Sequence, residues 1–265
     1  MPQVAVGVST DVGRARSLNE DAYLNGRQVW VVADGMGGHA AGDVASRLVI
    51  DSLRELDDID DLRPATVNAA MARANAAVIR YGMTYPEARG LGTTVTGLAE
   101  VTIGGVAHWA VFNVGDSRVY RYAGGELRQA TVDHSEVEEL VAAGLIDPDQ
   151  ARVHPARHII TRSVGIRPAP AVDLWVLSQN PGERFLLCSD GLNSELDDDQ
   201  IAAVLAAHPN PAEAADALVA AVLATPARDN VTVMVVDVLG TDGGEGDEAT
   251  LPSGVLDHEP PEDDQ

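Results

Sequence analysis

Seven short apolar runs recur along the chain, each bounded by turn-forming residues: VAVGVST, VWVVA, TTVTGLAEV, GVAHWAVFNV, RVYRYA, FLLC and VTVMVVDV. Their length and their β-branched content predict strands. Helical stretches lie between them. In residues 64–81, Val67, Met71, Ala74 and Val78 fall at i, i+4, i+7 and i+11, and Pro64 suits a first helical turn, so this stripe reads as core. Ser135 stands three residues before Glu138 ahead of VEELVAAGLI, and Asn210 three before Glu213 ahead of ADALVAAVLAT, which is capping-box spacing. The runs at 106–114 and 118–123 look like the two arms of a hairpin joined through Gly115, Asp116 and Ser117. Such neighbours favour antiparallel sheets over a parallel, doubly wound one.

A chain of 265 residues with 45% apolar and only 4% aromatic content can build one sizeable core, mostly aliphatic and alanine. We expect one domain over residues 1–240, followed at 241–265 by a disordered acidic tail rich in glycine and proline. The formal charge is −23, and all 18 basic residues are arginine. Nine of the 41 acids lie after Gly240 with no base among them, which leaves the body at −14. That balance excludes a nucleic-acid binder or a protein held on an anionic membrane, both of which need clustered positive charge. Cys188 is the single cysteine, so neither an internal disulfide nor a cysteine-built metal site is available. No segment resembles a signal peptide or a membrane span, and the expectation is a soluble, monomeric, cytoplasmic protein.

The apolar runs repeatedly deliver an aspartate. Asp34 follows VWVVA and precedes Gly35; Asp190 follows FLLCS and precedes Gly191; Asp116 follows VFNVG; Asp229, with Asn230, directly precedes VTVMVV. Asp21, beside Glu20, comes soon after the first run. Taken one at a time, each could be an ordinary turn residue. Five at strand ends, where loops leave the scaffold, suggest convergence. Converging carboxylates repel one another unless a cation neutralises them, and hard divalent ions such as Mg²⁺ or Mn²⁺ prefer an oxygen shell of this kind. On this reading Asp34 is a ligand and the glycines of GMGG clear space beside it. A competing pattern exists, since Gly35 to Ala40 fits G-x-G-x-x-A. A dinucleotide site would need a second strand ending in an acid about 20 residues on, where this chain has helix and acidic loop.

The ordered set RSLNED, ADGMGGHAAG, LGTTVTGLA, VFNVGDSRVYR, LRQATVDHS, ITRSVG, FLLCSDGLNSEL and ARDNVTVMVV resembles the metal-dependent serine/threonine protein phosphatases of type 2C (the PPM family) in their bacterial form. The likeness runs over roughly residues 5–238. It implies an α+β fold of four layers, α-β-β-α, in which two antiparallel sheets pack face to face with helices outside, plus a small flap at about 135–165. It further implies that Asp21, Asp34, Asp190 and Asp229, with the Gly35 carbonyl, hold two Mn²⁺ or Mg²⁺ ions, and that Asp116 with Asp190 forms a third site. Arg16 falls where the family binds phosphate. The implied reaction is hydrolysis of phosphoserine or phosphothreonine by a water activated between the two ions, on phosphorylated proteins made by a serine/threonine kinase. Cys188 is then a buried small hydrophobe rather than a nucleophile. Two positions depart from the family pattern: Met36 stands where many members carry a histidine proposed as general acid, with His39 nearby either as a substitute or as a helix-start residue that only packs or caps, and Asn193 follows SDGL. The alternative is a catalytically silent relative that binds a phosphoprotein; such proteins usually lose metal aspartates, and here all are present.

Overall fold

The computed structural model describes residues 3–37 and 41–240. His39 and the acidic segment 241–265 lie outside the described residues. One antiparallel sheet hydrogen-bonds in the order β1 (Gln3–Asp11), β11 (Val231–Gly240), β10 (Arg184–Cys188), β7 (Arg118–Ala123) and β8 (Glu126–Gln129). The second runs β2 (Asp21–Asn25), β3 (Val29–Met36), β5 (Val95–Ile103), β6 (Val106–Val114) and β9 (Asp173–Ser178), with the short β4 (Gly92–Thr93) paired to the end of β3. The helices are α1 (Gly42–Arg54), α2 (Pro64–Thr84), α3 (Glu136–Ala142), α4 (Pro148–Val153), α5 (Asp190–Asn193), α6 (Asp198–Ala207) and α7 (Pro211–Leu223).

Three separate apolar clusters define four layers. Successive strand residues point to opposite faces, and here both faces are buried. In β3, Val29, Val31 and Ala33 pack under α1 and α2, whereas Trp30 and Val32 enter the space between the sheets. In β10, Leu186 and Cys188 meet α6 and α7, whereas Phe185 and Leu187 face the other sheet. β11 divides in the same way, Val231, Val233 and Val235 outward and Met234, Val236 and Val238 inward. This is why VWVVA, FLLC and VTVMVV are continuous rather than alternating. Between the sheets, Trp30 and Trp109, and Trp109 and Phe185, meet edge to face with ring centroids 5.9 Å apart in each pair; such contacts add about 0.5–1.5 kcal/mol beyond area burial.

Helix ends are held by specific groups. Asn210 Oδ1 accepts from the backbone N–H groups of Ala212 and Glu213, and Ser135 Oγ accepts from Glu138 N. The reciprocal boxes form elsewhere, at Asp147 with Gln150 and at Asp197 with Gln200. For α1 the cap comes from outside the helix: Glu20 Oε1 accepts from Gly42 N at 3.2 Å, while Ser46 Oγ donates to the Glu20 carbonyl at 2.6 Å. Arg184, 7% exposed, ties the α6–α7 connection to the first sheet. It chelates Asp237 at 2.6 and 2.8 Å and donates to the carbonyls of Leu205, His208 and Pro209.

Two expectations are corrected. β6 and β7 are not a hairpin: they belong to different sheets, and Gly115, Asp116 and Ser117 carry the chain across from one to the other. Asp116 therefore lies at the junction of the sheets rather than at a surface turn. β3 does not stop at Asp34 but runs on to Met36, because Gly35 and Met36 pair with Thr93 and Gly92.

Candidate metal centre

Each of the five aspartates is delivered by a different piece of scaffold. Asp21 opens β2 and lies directly opposite Asp34 of β3 in the strand register. Like charges so placed are destabilising by themselves. Asp190 opens α5 immediately after β10, Asp229 stands two residues before β11, and Asp116 sits in the crossing between the sheets. A cavity of about 650 Å³ is lined by Asp34, Asp116, Asp190 and Asp229 together with Arg16 and Gly35. Asp21 does not line it but lies opposite Asp34 in the strand register, and Ser189 Oγ donates to its Oδ2 at 2.8 Å. Met36, Gly37, Arg157 and His158 complete the mouth. The candidate His39 falls outside the described residues.

The glycines of the site are required by close backbone approach. A Cβ on Gly35 would stand 2.1 Å from the Gly42 carbonyl oxygen and 2.6 Å from that of Glu20, so β3 crosses the start of α1 with no room for a side chain. A Cβ on Gly191 would stand 2.0 Å from the Asn230 oxygen. Asn230 gathers the loop that carries Arg16. Its Nδ2 donates to the carbonyls of Val12 and Leu18, each at 2.9 Å, and its Oδ1 accepts from Glu20 N at 2.9 Å. Arg16 Nη2 then donates to Asp229 Oδ2 at 2.8 Å. Thr94 Oγ1 accepts from Asp34 N at 3.0 Å, and Thr93 Oγ1 donates to the Asp34 carbonyl at 2.8 Å.

The electrostatics call for a cation. Burial pushes the Asp34 carboxyl well above the usual range, and Asp21, Asp190, Asp116 and Asp229 push it further. Burial raises Asp21 to about 7, opposed by hydrogen bonds from Thr232 and Ser189 and assisted by Asp190 and Asp229. Asp116 rises to about 8, first by burial and then by Asp190 and Asp133. Asp190 is raised by burial and Asp229, with His158, a hydrogen bond from Asp34 and Arg16 acting the other way. Asp21 Oδ1 is buried with no hydrogen-bond partner. Buried carboxylates without counter-charge hold protons, whereas a divalent ion would supply both the charge and the missing ligand for Asp21. Among the described residues, no three carboxylate, imidazole or thiolate groups already form one closed shell; they surround a space instead. An all-oxygen set of this charge fits Mn²⁺ or Mg²⁺.

Sequence reading missed Ser189, Thr94, Asn230 and His158. Ser189 had a signal, being wedged between the FLLC strand and Asp190. The others have none without the fold: the groups bound by Thr94 and Asn230 lie far away along the chain, and His158 meets Asp190 only at the cavity.

Residues 13–226 match the family described as Protein phosphatase 2C. The chain is 38% identical over 262 residues to the serine/threonine protein phosphatase PstP of Mycobacterium tuberculosis, a match that covers 92% of this chain and 49% of that protein. It thus spans about half the length of that relative. It is 32% identical over 243 residues to the serine/threonine phosphatase stp of Listeria monocytogenes, covering 86% of this chain and 93% of that one. Among solved structures, the catalytic domain of PstP in complex with two manganese ions superposes with a TM-score of 0.79 at 37% identity, over 89% of this chain and 98% of that one.

Proposed function

The chain belongs to the protein phosphatase 2C family, and from that premise we propose that it hydrolyses phosphoserine and phosphothreonine in proteins at the aspartate-lined cavity. One observation carries this reading: Asp34, Asp116, Asp190 and Asp229 line a single space, Asp21 presses its charge on Asp34 beside it, and four of the five have a raised pKa with no ion-pair partner among the described residues. A chain that had given up catalysis would have no reason to keep such a costly arrangement of like charges.

Asp21, Asp34, Asp190 and Asp229, with the Gly35 carbonyl, would hold two Mn²⁺ or Mg²⁺ ions, and Asp116 with Asp190 a third. When bound, such ions supply the positive charge that lowers the pKa of a water and draws electron density from phosphoryl oxygens. Arg16 is half exposed and, among the described residues, anchored by Asp229 and, at 3.9 Å, Glu20. Its planar fork can turn from Asp229 to two phosphoryl oxygens and orient the group for in-line attack. Asp34 and Asp21 are fixed through neighbouring backbone, Thr94 and Ser189, so they need not rearrange during turnover. Cys188 is fully buried, with its thiol pushed up to about 12, and takes no part. The residues 135–165 serve as a flap beside the cavity, since Arg157, His158 and Ile160 line it. The substrates are phosphoproteins made by a serine/threonine kinase, in a signalling role within the cytoplasm, acted on by a monomer. No helix among the described residues is long and apolar enough to cross a membrane.

The test is phosphate release from phosphoserine and phosphothreonine peptides in Mn²⁺, in Mg²⁺ and after exhaustive chelation. Full activity without metal would refute the reading.

A further inference from the structure

His134 is 4% exposed and lies at the foot of the 135–165 segment. Its backbone N–H donates to the Gly115 carbonyl at 2.9 Å, and its ring Nδ1 accepts from the Gly115 N–H at 3.0 Å. Because Nδ1 accepts, the ring proton sits on Nε2, which donates to Asp173 Oδ2 at 3.0 Å. Arg162 Nη1 donates to the other Asp173 oxygen at 3.0 Å and stands 3.2 Å from Nε2. With Nε2 already carrying a proton, that second approach is a contact and not a hydrogen bond. The His134 carbonyl accepts from Thr161 N at 2.8 Å.

Gly115 immediately precedes Asp116 and has a φ of 112°, a conformation open to glycine and strained for other residues. A Cβ there would also meet Thr94 Cβ at 2.6 Å. The chain crosses between the sheets at this point, so the direction of the Asp116 carboxylate depends on how this loose residue is held. Asn113 Nδ2 donates to the Gly115 carbonyl at 3.0 Å, and the hydroxyls of Thr94 and Ser117 meet at 2.7 Å. His134 engages both backbone groups of Gly115, and its far side is fixed by Asp173 at the start of β9 and by Arg162 at the end of the flap.

We propose that His134 is a positioning residue: it clamps the Gly115–Asp116 turn so that the Asp116 carboxylate faces the cavity, with Asp173 and Arg162 bracing the ring from behind. The clamp itself is independent of the proposed activity; its functional consequence rests on the metal-dependent reading above.

Two amide variants separate the two ends of the ring. His134→Asn keeps an acceptor near the place of Nδ1 and loses the reach to Asp173. His134→Gln keeps a donor near the place of Nε2 and leaves the Gly115 N–H without a partner. In chelator, hydrogen exchange of the Gly115 amide, followed by NMR, should quicken roughly fivefold to tenfold in His134→Gln and change by less than about twofold in His134→Asn. The Mn²⁺ concentration for half-maximal hydrolysis should rise by a similar factor in His134→Gln while turnover at saturating Mn²⁺ is kept, and His134→Gln should add nothing further in an Asp116→Asn background. Asp173→Ala, at a half-buried position, tests the same brace without touching the core and should shift both readouts the same way, less strongly. Equal exchange rates in the two amide variants, or an unchanged Gly115 amide in both His134→Gln and Asp173→Ala, would overturn the clamp. Faster exchange with an unchanged Mn²⁺ requirement would overturn its role toward Asp116. If the wild type hydrolyses nothing in any metal, the phosphatase reading fails and the exchange measurements alone decide the clamp.

Discussion

Asp21→Asn should make the metal-free protein more stable while removing most of its capacity to be stabilised by metal. Asp21 sits among Asp34, Asp190 and Asp229, and its carboxyl is raised from 3.8 to about 7, chiefly by burial. A carboxyl with a raised folded-state pKa binds its proton more tightly folded than unfolded. Stability is therefore fully present below about pH 4 and is lost as pH rises through about 7. About three pKa units at roughly 1.36 kcal/mol each set a ceiling near 4 kcal/mol, and halving it for relaxation and water penetration leaves about 2 kcal/mol. Asparagine is of the same shape, can still accept from Ser189, and replaces a charge repelled by Asp190 and Asp229 with a neutral amide. At roughly 2–4 °C per kcal/mol for a chain of this size, the variant should melt about 4–8 °C above wild type in chelator at pH 8. The gap should narrow as the pH is lowered to 5, where less of the wild-type penalty has developed. Calorimetric melts of both proteins at the two pH values, with chelator and with Mn²⁺, provide the assay. A variant that melts at or below wild type in chelator at pH 8, or a gap that ignores pH, would refute the charge-crowding argument.

Asp34→Asn should abolish hydrolysis and core metal binding together, whereas Asp116→Asn should retain two bound metals by elemental analysis and need more added Mn²⁺; equal loss of metal in the two would place Asp116 in the primary centre. Arg184→Met leaves Asp237 and three carbonyls without their donor and should cost about 3–5 kcal/mol, read as a lower urea midpoint; an unchanged midpoint would show these bonds to be replaceable by water. Gly191→Ala forces a methyl group against the Asn230 carbonyl, so it should cost about 1–3 kcal/mol and reduce activity through the displaced Asp229 segment, and wild-type kinetics would contradict it. Deleting residues 241–265 should leave turnover of a small aryl phosphate unchanged, because that composition lacks apolar groups with which to dock; a collapse of kcat would show that the segment takes part in the site.

The strands were legible because burial on both faces leaves continuous apolar runs, the stacking into four layers only through the family resemblance, and the ligand candidates because aspartate at the end of such a run is costly without a purpose. Partners contributed from a distance were not legible. Nothing near Asn230 in sequence indicates that its amide binds Val12, Leu18 and Glu20, more than 200 residues away. The mistaken hairpin of β6 and β7 has the same origin. A short glycine-containing link between two strands has one local signature whether the chain turns back within a sheet or passes to the facing one, and only the sorting of Val111 and Val119 into a shared inter-sheet core distinguishes them. Capping shows a milder form of this limit, since the fully reciprocal boxes at Asp147 and Asp197 use Gln, whereas the spacings at Ser135 and Asn210 point to Glu.

Among the described strands β11 comes last, yet it lies inside its sheet and is the sole hydrogen-bonding neighbour of β1, the first. On a translating ribosome the chain emerges from its N-terminus at roughly 5–20 residues per second. Asp21, Asp34, Asp116 and Asp190 are thus all in place along the nascent chain before Val231 exists, while β1 waits unpaired and two of the three cores lack a wall. β11 pairs with both β1 and β10, and Asp229 stands two residues before it, so the fifth aspartate and the strand that joins these neighbours come from the same late stretch of chain. A copy cut short before Asp229 would therefore lack both that carboxylate and the strand that walls two of the three cores.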